Sequence, residues 1–564
     1  MRHLLLLSLI VVSATLLRGQ TTVLLPETHY GYDDERSLLL VRLVTEGLKY
    51  PVTALKSETA TFTFPEEQRD ELRYDTTYTV LNSAGSEITL AFTRLPFIKI
   101  DTDRVIDKTE HLPATLSYVD DDQTLSSTIG ARWRGGFSLR YRKKSFDIEF
   151  WNDSTTQESV DVSFGELRED DDWVLDALFN EPMRVNSYVA HKLWLDMHSP
   201  YYQEEEADAK SGADVMFVEV FFNEEYHGLF MLTEQVDRKQ LKLKKEKDGE
   251  IRGLLYKAEN WSDATLFTGL PPLAVSKEGK YENWVIRYPD LEGPDAFVPL
   301  YELIDFVVNS SDEDFRSDVG SRLQLDNMRD MFLFLNVVSL TDNHGKNLYL
   351  ARYNDDEPYF YIPWDMDASF GNDYRGERND RTDLWLANGL QERLLEVSPD
   401  SYNTQLCERY DELREGVLDP DKLIANIDRQ ISYLRANGVP TRERKRWGNS
   451  VNIDDDEIAF TKQFIRDRIA HLDGVVCGFS TSSTDPLGAA TASIVVYPNP
   501  TDRQLNIEHS FTKPTGYSLL NATGQIVASG YLGGGQDHID VSQLRSGMYF
   551  LRVGQQSARV VISR

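Results

Sequence analysis

Positive charge is scarce in this chain: 60 lysines and arginines stand against 92 aspartates and glutamates, a formal net charge of -32. Nucleic acid and anionic lipid are both gripped through positive potential, so a general basic face for either is excluded. Cysteine is scarcer still. Cys407 and Cys477 are the only two, which allows one disulfide or two buried thiols and leaves the choice open. Long apolar runs are confined to the N terminus, where "MRHLLLLSLIVVSATLLRGQ" has a basic start and an apolar stretch from Leu4 to about Val12. That stretch is too short to span a bilayer and reads as a secretory signal peptide over residues 1–20, cleaved after Ala14 or after Gly19. A GxGxxG loop, a Walker A motif and a His/Asp cluster at zinc spacing are all missing, which removes the commonest nucleotide and metallohydrolase signatures.

What is present reads as globular and multidomain: 41% of residues are apolar and 11% aromatic in a length of 564, more than one core usually serves. From 21 to 94, alternating stretches such as "ATFTF" (60–64) and "EITLAF" (87–92) predict strands of a small β-sandwich. Residues 95–478 mix periods. "FVEVFFNEEYHGLFMLTEQV" (217–236) predicts a hairpin turning at Asn223 to Glu225, whereas "RVNSYVAHKLWLDM" (184–197) and "FTKQFIRDRIAHLDG" (460–474) have helical spacing, the latter with Gly474 placed as a stop. The fold class is therefore α+β. Residues 479–492 are small and polar, as a linker should be, and 493–564 return to short strands at regular intervals, a second β-sandwich. Acidic runs at 119–123, 168–173 and 453–457 lack the full ligand alternation of an EF-hand loop and read as solvated loops.

The richest stretch is "SLTDNHGKNLYLARYNDDEPYFYIPWDMDASFG", residues 339–371. Asp342 and Asn347 stand five residues apart, the spacing of the catalytic Asp and metal-binding Asn of protein kinases. "LYLARY" and "PYFYIPW" then predict two strands around an "NDDE" turn, a hairpin that carries the chain back and sets Asp365 beside Asp342 and Asn347. Short carboxylate and amide side chains suit both tasks of phosphoryl transfer, orienting a hydroxyl and holding hard Mg²⁺.

Together with "RWRGGFSLRYRKKSFDIEF" (132–150), "DDWVLDALFNEPMRVNSYVAHKL" (171–193) and "GLLYKAENW" (253–261), this stretch resembles the spore coat protein H (CotH) kinases, atypical secreted protein kinases. The resemblance implies an atypical, two-lobed kinase-like domain over 95–478. It implies Asp342 as the catalytic base or the Asp that orients the acceptor hydroxyl, Asp365 as principal metal ligand, Asn347 as a second ligand and Asp367 as a weaker one. ATP with Mg²⁺ or Mn²⁺ is the implied cofactor set. Lys143 or Lys144 would neutralise phosphates, with one of them facing the cleft by strand alternation. Glu234 would pair with that lysine or lie near the adenine, Arg134 and Arg184 would fix phosphates or brace the lobes, and Trp364 would pack by the nucleotide or in the core, with the core favoured. One departure stands out. Arg134-Gly135-Gly136-Phe137 replaces the family's usual Arg-Gly-Asn-Ser, so a polar contact in the nucleotide loop is missing.

The tail, with "YPNPT" (497–501), "LNATGQIV" (520–527) and "IDVSQLRSGMYFLRV" (539–553), resembles the type A C-terminal sorting domain of the type IX secretion system. It implies a Gram-negative bacterium of the Bacteroidetes kind, export through the type IX machinery, and a secreted or cell-surface address with no transmembrane anchor. The expected activity is transfer of the ATP γ-phosphoryl group to Ser/Thr hydroxyls of exported protein substrates. The alternative is a catalytically inactive kinase-like surface binding or adhesion protein.

Overall fold

The computed structural model describes residues 15–17, 20–46, 48–248, 250–478, 495–508, 515–521, 526–532, 536–553 and 556–563. Most of the expected signal peptide and the whole 479–492 linker lie outside these residues. The chain divides into two compact units, Met1–Thr481 and Ser482–Arg564.

In the first unit, the N-terminal strands form one eight-stranded sheet where two sheets were expected. It bends where a single residue pair, Thr63 with Leu81, joins its halves. Val23, Leu55 and Phe62 from one half and Leu39, Val80 and Leu90 from the other fill a common core, so one folded sheet buries what two would have buried.

Next comes a closed seven-stranded barrel. It closes through a parallel pairing of Phe97–Asp101 with Val215–Phe222, and alternate side chains such as Ile98, Leu116, Ile148, Trp173 and Phe230 fill its interior. The predicted hairpin is present: Val215–Phe222 and Glu225–Glu234 pair antiparallel. Asn223 and Glu224 both take left-handed φ (47° and 64°), the backbone of a tight turn that follows the strands' own twist.

A five-stranded sheet follows, with Leu254–Ala258 at its centre between Trp284–Tyr288 and Leu348–Arg352, and Tyr359–Pro363 at one edge. Helix Leu325–Val338 packs on that edge: Asn327 accepts the Tyr361 N–H (2.6 Å) and donates to the Tyr361 carbonyl (3.0 Å). Further helices, among them Tyr402–Glu415, Pro420–Ala436, Val439–Trp447 and Asp455–Val475, surround the core. Cys407 and Cys477 are joined as a disulfide, 70 residues apart in sequence.

Two local readings are corrected. Gly474 does not stop the last helix, which continues to Val475: Asp473 is held by Arg414 and Tyr410, Leu472 is buried, and Cys477 is anchored, so tertiary contacts outweigh the glycine signal. The acidic runs at 119–123 and 453–457 do more than face solvent. Asp454 caps the last helix by accepting the Glu457 N–H, and Asp120 accepts two N–H groups in its own turn.

The second unit has a three-stranded and a four-stranded antiparallel sheet, and Leu505, Ile507 and Ile539 from the first share a core with Leu519, Leu551 and Val560 from the second. Among the described residues no helix is long and apolar enough to cross a membrane.

Candidate functional site

The site begins where helix Leu325–Val338 ends at Ser339, whose left-handed φ of 58° turns the chain into the loop carrying Asp342 and Asn347. The loop is fastened at its far end. Asn347 donates its N–H to the Ala258 carbonyl (2.9 Å) and accepts from the Trp364 N–H (3.0 Å), while strands Leu348–Arg352 and Tyr359–Pro363 pair with Leu348 opposite Pro363. The hairpin thus returns the chain as its sequence predicts and sets Asp365 next to Asn347. Asn343, wholly buried, adds a cross-tie: its side-chain amide donates to the carbonyls of Asn347 (2.9 Å) and Trp364 (2.6 Å). Loop and strand end are therefore one rigid unit.

Asp342 is mostly enclosed and forms an ion pair with Lys346 (2.7 Å), which orients its carboxylate. Asp365, with left-handed φ of 58°, is open to solvent. Yet burial is the leading cause that raises its pKa, followed by the charge of Asp176; Arg134, Lys257 and Lys346 oppose the rise. Its side chain reaches solvent beside these charged neighbours. Asp367 is half-buried and accepts from the Asn180 side chain (2.5 Å). Its carboxyl is pushed well above the usual range, first by burial and then by Asp365. Asp176, at the end of strand Asp172–Asp176, and the buried Glu181 add to this concentration of acid.

Such a group of carboxylates is chemically a fitting donor set for a hard divalent cation. The Asp365 and Asn347 side chains accept and donate no hydrogen bond among the described residues, so their oxygens are free to ligate. Asp365, Asn347 and Asp367 are the residues that could hold a divalent cation here.

The basic residues expected at phosphates divide sharply. Arg134 reaches the cleft, with its guanidinium 5.3 Å from the centre of the Trp364 ring. Lys143 does not. Its ammonium is sealed between the Leu229 carbonyl and Glu443 (3.1 Å), and burial lowers its pKa to about 8 against the pull of Glu443. Lys144 donates to the Leu139 and Tyr141 carbonyls. Glu234 is buried and takes Lys210 (2.6 Å), Gln240 and two backbone N–H groups, so it pairs with neither Lys143 nor Lys144. Arg184 is a brace: it donates to Glu443 and to the Phe179, Glu181 and Ser450 carbonyls. Trp364 is buried in the core, edge-on to Tyr349. Phe137, in the loop that departs from the family pattern, is exposed and meets Tyr374 edge to face at 5.3 Å.

Sequence reasoning missed Asp176, Asn343 and Lys257. Lys257 had a usable signal, as the one charged residue in the apolar strand "LLYKA". Asp176 and Asn343 had none, because tertiary placement alone brings the first to Asp365 and buries the second.

The chain matches the CotH kinase protein family over residues 131–472, more than half its length, and a secretion system C-terminal sorting domain over 495–563. It is 23% identical over 349 residues to "Inner spore coat protein H" of Bacillus subtilis (strain 168), covering 61% of this chain and 88% of that protein. The sorting domain implies handling by the type IX secretion machinery and a secreted or surface location. By the extent of the first match, the chain belongs to the CotH kinase protein family.

Proposed function

We propose that the chain is a secreted or cell-surface kinase that moves the γ-phosphoryl group of ATP to Ser or Thr hydroxyls of exported proteins. The observation that carries this reading is the joining of the Asp342 loop to the Asp365 strand end through Asn347, Trp364 and Asn343. Family membership and the sorting domain support it.

In the proposed step, the bond between the γ-phosphorus and its bridging oxygen breaks while a bond from the acceptor hydroxyl oxygen forms. The hydroxyl proton passes to the Asp342 carboxylate, and ADP leaves. A divalent cation held by Asp365, Asn347 and Asp367 would supply charge neutralisation at the phosphate oxygens. The chain's own part is positioning: Lys346 orients Asp342, and Asn343 keeps loop and strand end in register.

The test is incubation of the purified full chain with γ-labelled ATP, Mn²⁺ or Mg²⁺ and a Ser/Thr-rich acceptor protein. Label on chain or acceptor with wild type, and its loss in Asp342→Ala, is expected. No label with either metal, on the chain or on a panel of proteins exported by the same organism, would contradict the reading.

A further inference from the structure

Phe137 is the one phenylalanine left exposed among the described residues. It opens the short turn Phe137–Arg140 that follows barrel strand Thr124–Arg134, at the point where Gly136-Phe137 stands in place of Asn-Ser. A Cβ at Gly136 would meet nothing within 4 Å, so the loop faces open space there. Two more rings flank the exposed one: Tyr141 at 5.8 Å and Tyr374 at 5.3 Å, both edge to face. A ring kept in water adds little to folding, and three side by side make an aromatic rim. The rim borders the carboxylates. Asn180 donates both to Asp367 (2.5 Å) and to the Tyr374 carbonyl (3.0 Å), and the charge of Asp367, after burial, raises the pKa of the Tyr141 hydroxyl.

The rim also carries cations. The Arg140 guanidinium lies 4.9 Å from the centre of the Phe137 ring, and that of Arg375 lies 5.0 Å from the centre of Tyr374 and donates to its hydroxyl (2.9 Å). Both arginines are exposed, and among the described residues neither has a carboxylate within 4.0 Å; Asp373 and Glu377 act on Arg375 from farther away. A guanidinium stacked on a ring keeps edge N–H groups available to grip a carboxylate. The chain as a whole carries a net charge of -32, so an arginine–aromatic rim at this one place is complementary to an acidic partner rather than a basic one. Aromatic and arginine side chains are also those that anchor protein segments.

We propose that Phe137, Tyr374, Arg140 and Arg375 form a docking rim for the acceptor protein, seating a segment that has carboxylates around its hydroxyl residue and an apolar side chain laid against Phe137. The identity of that segment as a phosphoryl acceptor rests on the kinase reading, whereas the preference for acidic segments rests on the rim's own residues. Placed beside Asp367, the rim makes acceptor choice a property of the turn in which this chain departs from its family.

The experiment uses the full chain and two fluorescent peptides, each with one serine and one leucine, flanked by glutamates in the first and by lysines in the second. Anisotropy at fixed ionic strength reads binding, and γ-labelled ATP with Mn²⁺ reads transfer to the same peptides. Wild type is expected to bind the glutamate peptide about threefold more tightly or better, against the general attraction of an acidic protein for lysines. Arg140→Glu and Arg375→Glu should each weaken that binding about fivefold and Phe137→Ser about threefold, with melting temperatures unchanged. In transfer the same losses should appear in KM for the peptide, with KM for ATP unmoved. Glutamate peptide held through these residues but never labelled would keep the rim and remove the kinase reading. Label transferred to both peptides with equal KM would keep the kinase reading and overturn the rim, as would binding that all three substitutions leave undiminished. Binding of neither peptide would overturn the rim.

Discussion

Two regions of this protein concentrate charge, and they do so in opposite ways. Around Glu443, on helix Val439–Trp447, Lys143 and Arg184 meet one carboxylate with all three side chains 0% exposed. The Leu229 N–H completes the set at 2.6 Å. Gly228 makes room for it: its φ is +91°, and a Cβ there would stand 1.8 Å from the Glu443 carboxylate. One residue earlier on the helix, Arg442 grips Glu219 through Nε and Nη2. Every charge in this region has a partner, and it ties a late helix to the barrel. Around Asp365 the carboxylates crowd one another, Arg134 and Lys257 act on Asp365 without an ion pair or hydrogen bond among the described residues, and Asp365 reaches solvent. Complete pairing under full burial is how a fold spends charge on its own architecture, whereas unpaired charge in an open cleft is charge kept for a ligand.

The comparison can be broken at several points. The largest effect should come from the cleft: Asp342→Ala is expected to slow phosphoryl transfer by about 10²–10⁴-fold while leaving Mn·ATP binding within a small factor, as read by labelled transfer and calorimetry. At the sealed site, Lys143→Met should act through stability. It leaves the buried Leu229 carbonyl and one Glu443 oxygen without the ammonium, a loss of about 1–3 kcal/mol in denaturant unfolding. A variant as stable as wild type yet unable to bind nucleotide would reverse the assignment. Cys407→Ser with Cys477→Ser should cost about 4 kcal/mol, since a 70-residue loop is freed in the unfolded chain.

A smaller, pH-dependent effect sharpens the contrast. Burial lifts Glu181 from 4.5 to about 8, with Asp176 adding to the rise and the Ser187 hydroxyl opposing it. A carboxyl whose pKa stands higher in the folded state favours folding when protonated. Its contribution is whole below the unfolded value and is lost as pH climbs through the folded one. Glu181→Gln should therefore melt a few degrees above wild type at pH 8.5, with the gap closing near pH 5 in scanning calorimetry.

The two regions also differ in how far the sequence alone revealed them. Asn347 and Asp365 flank one hairpin, so strand alternation and a turn signal were enough to predict that the chain returns Asp365 beside Asn347, with Asp342 in the loop before them. Lys143 and Glu443 are 300 residues apart. Lys143 and Lys144 precede strand Ser145–Trp151, so the alternation expected of them does not apply, and the residue covering Lys143 comes from a helix no local pattern connects to it. The same reason explains Asp176 at Asp365, and the helix that runs past Gly474. The N-terminal strands were legible one by one, whereas their joining through the single Thr63–Leu81 pair was not.

The most direct measurement is a paired one on Asp365→Asn and Lys143→Met: label transferred from γ-labelled ATP, and melting temperature, on the same preparations. Asp365→Asn should lose transfer while melting no lower than wild type, because the substitution removes a crowded charge, and Lys143→Met should melt lower. Transfer retained in Asp365→Asn would contradict this, as would lost transfer at full stability in Lys143→Met.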